Sequence, residues 1–368
     1  MKTAIVILNW NTKEQLERFL PSVLLSASCS PDGTPLGDSE VIVADNGSTD
    51  GSLDLMAGLF PGVRVIALDR NYGFTGGYNR ALAMLEGYTY YLLLNSDLEV
   101  PHGWLEPLEQ WMDSHPGCAV CGPKLHALSD RDRFEYAGAA GGFIDRYGYP
   151  FCRGRVLKMT EKDKGQYDSA PKDVLWVTGA CLMIRASLWK GLDSRFFAHQ
   201  EEIDLCWRLQ LEGYNITVIP QSTVYHLGGG TLPPDSPGKL KLNFRNNLLL
   251  LSNNLGKTYA LELYREGIPA ARAAGKGLRR AKRMIFKRMV LDGGSALVYL
   301  MTLRPSFFSA VVKAHKEYKQ MVSMPDLRDI VRYLEQYGKS ASVSGLYRGF
   351  IVAEGAIKGK KIFKSLNI

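Results

Sequence analysis

Short uninterrupted runs of apolar residues alternate with amphipathic segments along the N-terminal part of the chain. The runs lie at residues 3–8, 40–44, 63–68 and 91–94. An apolar run without alternation is typical of a strand covered on both faces, as in a parallel sheet between helices. The segments between the runs repeat apolar residues at helical spacing, for example Leu16, Phe19, Leu20, Val23 and Leu24. The pattern predicts an α/β fold with a mostly parallel sheet flanked by helices.

Local signals refine the first helix. Thr12 and Gln15 fit a capping box, and Pro21 is expected to kink the helix or end its regular part. A polar loop should follow at residues 28–39. Further strands are predicted at residues 174–177, 181–184 and 216–220, and further helices should begin near Glu202 and Lys241.

Residues 123–172 are rich in Gly, Tyr and Arg. This composition predicts an irregular insertion with short strands. Its aromatic side chains either fill a core or stack on a ligand, and the sequence leaves both interpretations open.

Polar residues follow the second and fourth predicted strands at their carboxyl ends. Asn95, Ser96 and Asp97 follow the fourth, and ligands of open α/β sheets bind at that edge. A carboxylate and an amide oxygen two residues apart can share a hard cation, which can hold a diphosphate. After the second strand, Asp45 can accept a hydrogen bond from a base or ribose. Polar turns have the same composition, so these residues alone do not decide between turn and site.

A glycine-rich turn follows the third strand and opens a helix. It contains Asn71, Gly73, Phe74, Gly76 and Asn79. Glycines allow close backbone approach, and the amino end of a helix favours a phosphate. The spacing differs from the G-x-G-x-x-G dinucleotide signature.

Three carboxylates lie within four residues at Glu201, Glu202 and Asp204. A helix amino end stabilises one or two of them, but three adjacent acids repel, which is more typical of an active site. Downstream, His226 precedes the glycine run 228–230, which suits a loop that orders over a bound ligand and excludes water. Arg245 could pair with a phosphate or cap a surface.

Composition bounds the class of protein. The chain has 368 residues, 46% of them hydrophobic, which is enough for a substantial core. No signal peptide and no apolar run of about 18 residues is evident, so we expect a cytoplasmic protein. The six cysteines suggest no disulfide framework.

Positive charge is concentrated near the C-terminus. From Lys276 onward there are 19 Lys and Arg against six Asp and Glu, so the formal net charge of +8 belongs to this region. Basic residues alternate there with apolar ones, as on a helix that lies on an anionic membrane surface. Simple packing of this region on the rest of the protein is the alternative. No nucleic-acid motif accompanies the charge, so nucleic acid is not an expected partner.

Four motifs in order resemble the family 2 glycosyltransferases of the GT-A (Rossmann-like) fold, and most closely their bacterial rhamnosyltransferase-like branch. They are residues 7–11, 45–50, 71–79 and 94–97. The resemblance covers about residues 2–255 and implies a catalytic domain at 1–255, followed by a basic, mainly helical C-terminal region at 256–368.

The resemblance also implies roles for residues. Asp45 would bind the base of a nucleotide-sugar, and Asp97 would bind Mg²⁺ or Mn²⁺, with Asn95 standing where the family usually has Asp. Glu202 would be the catalytic base, with Glu201 and Asp204 as further candidates, and His226 would complete the metal shell. The residues expected to contact the donor are Asn9, Asn11, Asp45, Asn46, Gly47, Ser48, Asn71, Gly73, Phe74, Gly76, Asn79, Asn95, Ser96 and Arg245.

We therefore predict a metal-dependent inverting glycosyltransferase, cytoplasmic and peripheral to the membrane. It would transfer a sugar, from dTDP-rhamnose or a UDP-sugar, to a hydroxyl of a glycan or lipid-linked acceptor in cell-surface polysaccharide assembly. The alternatives are a sugar nucleotidylyltransferase and a carbohydrate- or nucleotide-binding protein without catalysis. A nucleotidylyltransferase would need a glycine-rich phosphate loop after the first strand, where this chain has Asn9, Trp10 and Asn11.

Overall fold

A computed structural model describes residues 2–29, 38–228, 235–359 and 362–366. Its N-terminal half alternates strands and helices as the hydrophobic pattern predicts. The elements are β1 (Thr3–Asn9), α1 (Lys13–Ser28), β2 (Ser39–Asp45), α2 (Ser52–Leu59), β3 (Arg64–Ala67), α3 (Gly73–Leu82) and β4 (Tyr90–Asn95).

The first four strands are parallel, and β1, β2 and β4 are buried on both faces. β1 pairs with β2 and β4, and β2 pairs with β3. Along β1, Ala4 and Val6 belong to the apolar cluster on one side of the sheet, whereas Ile5 and Ile7 belong to the cluster on the other. This two-sided burial explains why the strand sequence shows no alternation.

The central sheet is completed by strands of both directions. The next elements are β5 (Leu98–Glu99), α4 (Glu106–Ser114), β6 (Cys118–Ala127), β7 (Asp130–Phe134), β8 (Gly142–Asp145), β9 (Pro150–Cys152), β10 (Arg155–Val156), β11 (Met159–Thr160), β12 (Lys172–Asp173), β13 (Cys181–Arg185), α5 (Glu201–Leu211) and β14 (Asn215–His226). β13 pairs antiparallel with β4 and β6, and β14 runs parallel to β6. The sheet is therefore mixed beyond its parallel N-terminal half.

The C-terminal region is mainly helical. Its elements are α6 (Pro237–Arg265), α7 (Ala270–Met301), α8 (Pro305–Met321), α9 (Leu327–Tyr337) and the short strand β15 (Leu346–Tyr347). Helix α6 begins four residues before the predicted start at Lys241, with the Ser236 side chain capping the Lys239 N–H. The predicted boundary after residue 255 falls inside α6. The division into a catalytic domain and a C-terminal region therefore stays a prediction.

The insertion forms a second small sheet, which β15 from the C-terminal region completes. Strands β8 to β11 are antiparallel neighbours, and β15 pairs with β8. Phe363 packs against Phe143, Phe151 and Tyr167. These aromatic side chains are buried and fill a core.

Two local predictions were wrong. Residues 174–177 form no strand, because Val174 N–H donates to Ile216 in the central sheet, whereas Leu175 N–H donates to Gly142 in the second sheet. The Thr12 side chain does not cap α1, because its hydroxyl donates to Asn9 instead. Pro21 lies inside α1, which continues to Ser28. Most of the predicted loop 28–39 lies outside the described residues.

Two predicted absences can be compared with the structure. All six cysteines are free thiols. Within the described ranges, no helix combines the length and the apolar character needed to cross a membrane.

Candidate functional site

The carboxyl ends of β1 and β2 carry a linked set of polar side chains. Asn9 Nδ2 donates to Asp45 Oδ2 at 2.7 Å and to Ser48 Oγ at 3.0 Å, and Ser48 N–H donates to Asp45 Oδ1 at 2.9 Å. Asn11 joins this set, because its Oδ1 accepts from Thr49 N–H at 2.7 Å. Asp45 is thereby fixed at the carboxyl end of β2, the edge of the sheet at which ligands of open α/β proteins bind.

Asn46 holds the predicted glycine-rich turn against β2. Its Nδ2 donates to Asn71 Oδ1 at 3.1 Å and to the Gly73 carbonyl at 3.0 Å, while its Oδ1 accepts from Tyr72 N–H. Gly47 has φ +74°, and a Cβ there would lie 2.5 Å from Arg70 Cα. The two loops are therefore in backbone contact, which requires glycine at this position.

The end of β4 is tied to β1 and to the turn before β13. Ser96 Oγ lies 2.8 Å from Thr12 Oγ1, and Asn95 N–H donates to the Ala180 carbonyl at 2.9 Å. Beside Ala180, a Cβ on Gly179 would lie 3.4 Å from Phe74 Cζ and 3.5 Å from Glu202 Cβ. This turn therefore contacts the end of β4, the glycine-rich turn and the predicted base.

Asp97 and His226, which the family resemblance implies as metal ligands, lie beside each other. The distance from His226 Nε2 to Asp97 Oδ1 is 3.2 Å, and both residues are buried. Burial alone would raise the pKa of Asp97, but the hydrogen bond and charge of His226 outweigh it and lower that pKa. Burial would likewise lower the pKa of His226, but its bond to Asp97 and the nearby Glu135 raise it to about 10.

The Asp97 and His226 pair fits an octahedral divalent cation. Two ligands on adjacent corners at about 2.1 Å from such an ion are about 3 Å apart, close to the separation seen here. No group of three or more His, Cys, Asp and Glu among the described residues could hold a metal by itself. A cation at this position would therefore take its other ligands from the donor and water.

Glu135 is a further acid beside this pair that sequence analysis missed. Its Oε2 lies 3.6 Å from His226 Nδ1, beyond hydrogen-bond length, and Nδ1 is a buried polar atom without a partner among the described residues. Glu135 comes from the irregular insertion, so no spacing in the sequence connects it to His226.

The acidic cluster begins α5, and its members have different surroundings. Burial raises the pKa of Glu202 to about 7, although its side chain remains half-buried rather than enclosed. Burial, and then the charge of Glu202, raise the pKa of Glu201 well above its usual value. Glu201 is 4% exposed and its Oε2 has no partner among the described residues. Of the two adjacent acids, Glu202 is thus the more exposed.

Asp204 lies on the other side of α5, because two residues turn a helix by about 200°. It is 0% exposed, bonds Arg208 Nε at 2.7 Å and accepts from Asn253 and Asn254, each at 2.9 Å. Its carboxylate is occupied by protein donors, which favours a structural role for Asp204 over that of a base.

The segment before α5 has an unusual backbone. Phe197, His199 and Gln200 have φ of 63°, 73° and 71°. Asn246 of α6 holds this segment, because its Nδ2 donates to the carbonyls of Phe196 at 3.0 Å, Ala198 at 2.7 Å and His199 at 2.7 Å. Strain of this kind persists where surrounding contacts determine the conformation.

Arg245 and Asn79 have their polar atoms directed to protein partners. Arg245 bonds Glu317 at 3.1 Å and the Phe196 carbonyl at 2.8 Å, and it is 7% exposed. Asn79 exchanges two bonds of 2.8 Å with the Leu192 backbone. These contacts support positioning roles rather than the predicted contacts with the donor. Of the glycine run 228–230, predicted to order over a ligand, residues 229 and 230 lie outside the described residues.

Comparison with solved structures establishes the class of fold. The crystal structure of GalNAc-T7 with UDP, GalNAc and Mn²⁺ aligns with a TM-score of 0.52 at 17% identity, covering 80% of this chain. The chain matches 57% of the length of that protein. At this identity the match shows the fold alone, which is the GT-A fold predicted from the sequence.

The sequence comparison then gives the family. The model described as glycosyl transferase family 2 matches residues 4–190, about half of the chain. This protein therefore belongs to glycosyl transferase family 2.

Two curated relatives come from two strains of Mycobacterium tuberculosis. Both are N-acetylglucosaminyl-diphospho-decaprenol L-rhamnosyltransferases. Each is 25% identical over 269 residues, which cover 68% of this chain and 83% of the relative.

Proposed function

We propose that this protein is an inverting rhamnosyltransferase that uses dTDP-rhamnose and a lipid-linked glycan acceptor. The observation that carries the proposal is the position of Asp45, the Asp97 and His226 pair, and Glu202 around the connected ends of β1, β2 and β4. The curated relatives support the choice of sugar and acceptor, because rhamnose and a diphospho-decaprenol acceptor are in their names.

The donor would lie along the carboxyl edge of the sheet. Asp45 would accept hydrogen bonds from the base or ribose, while the backbone of the glycine-rich turn would approach the rest of the nucleotide closely. Asp97 and His226 would hold Mg²⁺ or Mn²⁺, which would offset the charge that develops on the leaving diphosphate. His226 would hold the cation as a neutral imidazole.

Glu202 would act on the acceptor. Because its pKa is raised to about 7, the Glu202 carboxylate would be a stronger base than an ordinary carboxylate and would still be partly ionised at neutral pH. The acceptor oxygen would form the new bond to the anomeric carbon as the bond from that carbon to the diphosphate breaks. The proton would pass to Glu202, and one displacement would invert the configuration. The neighbouring Glu201 would raise the proton affinity of Glu202 if it ionised.

A lipid-linked acceptor would bring the enzyme to the inner face of the cytoplasmic membrane. Cell-surface polysaccharide assembly is the corresponding process. The glycosyltransferase family assignment favours sugar transfer over the nucleotidylyltransferase alternative, and turnover distinguishes it from a binding protein without catalysis.

The proposal is tested by release of nucleoside diphosphate from dTDP-rhamnose, UDP-sugars and GDP-sugars, with polyprenyl-diphosphate-linked GlcNAc as the acceptor. We expect turnover of dTDP-rhamnose, and loss of at least about 100-fold in Glu202→Gln. Glu266→Gln, on an exposed acid, serves as the matched control. If only a UDP-sugar were turned over, the donor would be that UDP-sugar and not dTDP-rhamnose. Binding of every donor without turnover would contradict the proposal that the protein is an enzyme.

A further inference from the structure

Helix α7 carries one continuous face that its neighbours leave uncovered. At 100° per residue the members of this face fall within a stripe about 100° wide. We call it the α7 outer face, and it consists of the exposed residues Arg272, Arg279, Lys282, Arg283, Phe286, Val290, Leu297, Leu300 and Met301.

The opposite face of α7 is fully used in packing. Ala273, Ala274 and Ala281 are each 0% exposed. A Cβ on Gly277 would lie 2.6 Å from the backbone nitrogen of Ala260, so α7 and α6 are in close contact. The outer face is therefore the surface that remains after the helix has packed.

The exposed surface of α7 has cationic charge only. Asp292 is the one acidic residue in α7, and it is 0% exposed and bonded to Arg288 and His315. Among the described residues, Arg279, Lys282 and Arg283 take part in no ion pair, whereas Arg280, off this face, pairs with Glu262. These three cations are thus free to meet an anionic partner.

The C-terminal half of the outer face is apolar and strongly exposed. Phe286 is 67% exposed, Leu297 57% and Met301 75%, and Leu303 in the following turn is 88% exposed. Contiguous apolar exposure of this kind marks an interaction site. Arg304 lies beside it with its guanidinium 3.9 Å from the Phe307 ring centroid.

We propose that the α7 outer face and Leu303 dock on a bilayer that contains anionic lipids. The proposal deepens the proposed function, since it names the surface by which the enzyme would reach a lipid-linked acceptor. Arg279, Lys282 and Arg283 would lie at the headgroups, and Leu297, Met301 and Leu303 would enter the boundary with the acyl chains.

The order of charges along the helix favours a bilayer over a protein partner. From Arg279 to Met301 the helix rises about 33 Å, with all cations at one end and apolar side chains at the other. A bilayer surface offers negative charge and an adjoining apolar layer over such a distance without any shape matching. A second copy of the chain would present the same positive charge and repel it.

The test is co-sedimentation of the full chain with vesicles of phosphatidylcholine alone or with phosphatidylglycerol. No nucleotide-sugar or acceptor is present, so the result is independent of the proposed function. We expect binding to phosphatidylglycerol vesicles that weakens with salt. The variant Leu297→Asp, Met301→Asp, Leu303→Asp should bind at least about tenfold more weakly, and Arg279→Glu, Lys282→Glu, Arg283→Glu should do the same.

Two controls separate docking from general effects. Leu59→Asp and Met84→Asp alter apolar side chains of similar exposure, 59% and 56%, in α2 and after α3, and should bind as the wild type does. Thermal melting checks that each variant is folded, and turnover of a water-soluble acceptor analogue should be unchanged. Failure of the wild type to bind, equal loss in the controls, or self-association that these variants abolish would overturn the proposal.

Discussion

Asn246 offers the sharpest test of how the catalytic helix is held. Its amide reaches the carbonyls of Phe196, Ala198 and His199, which precede Glu201 and Glu202. Asn246→Ala removes these bonds without entering the proposed donor or acceptor site. We expect the segment before α5 to relax from its positive φ values and to shift Glu202.

The size of the effect follows from the groups that lose a partner. The Phe196 carbonyl still accepts from Arg245 at 2.8 Å. The Ala198 and His199 carbonyls lose their donor, and Arg245 Nε loses the Asn246 Oδ1 that accepts from it at 3.0 Å. Three bonds at about 1 kcal/mol each, together with partial desolvation of the groups left without a partner, cost about 3–4 kcal/mol. Alanine returns about 0.6 kcal/mol through its better helix propensity. The free energy of unfolding should fall by about 3 kcal/mol.

Activity should fall further than stability alone explains. Displacement of a catalytic group by about 1 Å costs about 100-fold in rate, so kcat should fall by about that factor while KM for the donor changes little. The measurements are urea unfolding and steady-state turnover at a temperature where the variant is folded. Asn243→Ala, one turn earlier, is the matched control, because its side chain forms no hydrogen bond to other described residues. Wild-type kcat in folded Asn246→Ala would refute the reasoning.

Three further predictions concern single residues of the site. Burial raises the pKa of Glu202 to about 7, and the base must be ionised to act. A pH profile of kcat/KM should therefore rise with pH through a midpoint near 7. A flat profile between about pH 5.5 and 8.5 would contradict this. Asp204→Asn should lower the urea concentration at which half of the protein is unfolded, because Asp204 forms an ion pair with Arg208. The pH profile of kcat/KM should keep its midpoint near 7. A shifted pH profile would make Asp204 a candidate for the base. Gly73→Ala should weaken donor binding, measured by calorimetry, at least about tenfold. Gly73 has φ +71°, and a Cβ there would lie 2.5 Å from the Phe197 ring. Gly62→Ala is the control, because a Cβ at Gly62 meets open space and donor binding should be unchanged.

The parts of the fold that the sequence predicts are those determined by local pattern. The apolar runs of β1 and β4 show no alternation because both faces of each strand are buried, and the polar ends of these strands place Asn9 and Asp97 at one edge. The helical spacing after Glu201 likewise identifies α5. The predicted catalytic acids and metal ligands depend on these elements and on the resemblance to a family.

Other features depend on contacts between distant parts of the chain. Residues 174–177 divide their hydrogen bonds between two sheets, and this cannot be inferred from their apolar composition. Glu135 reaches His226 from the insertion, and Asn246 reaches residue 199 from α6. Arg245 is a residue type that often binds phosphate. Its hydrogen bonds to Glu317 and to the Phe196 carbonyl, however, can be identified only from the structure.

Metal-dependent turnover in Asp97→Ala tests the central claim most directly. The wild type, stripped with EDTA and resupplied with Mn²⁺ or Mg²⁺, should release nucleoside diphosphate from its donor only when the cation is present. Asp97→Ala should lose at least about 100-fold of this activity at every cation concentration, while Asp54→Ala on the exposed surface of α2 should behave as the wild type. Full turnover in EDTA, or wild-type turnover by Asp97→Ala, would contradict the assignment of Asp97 as the residue that holds the cation on the donor.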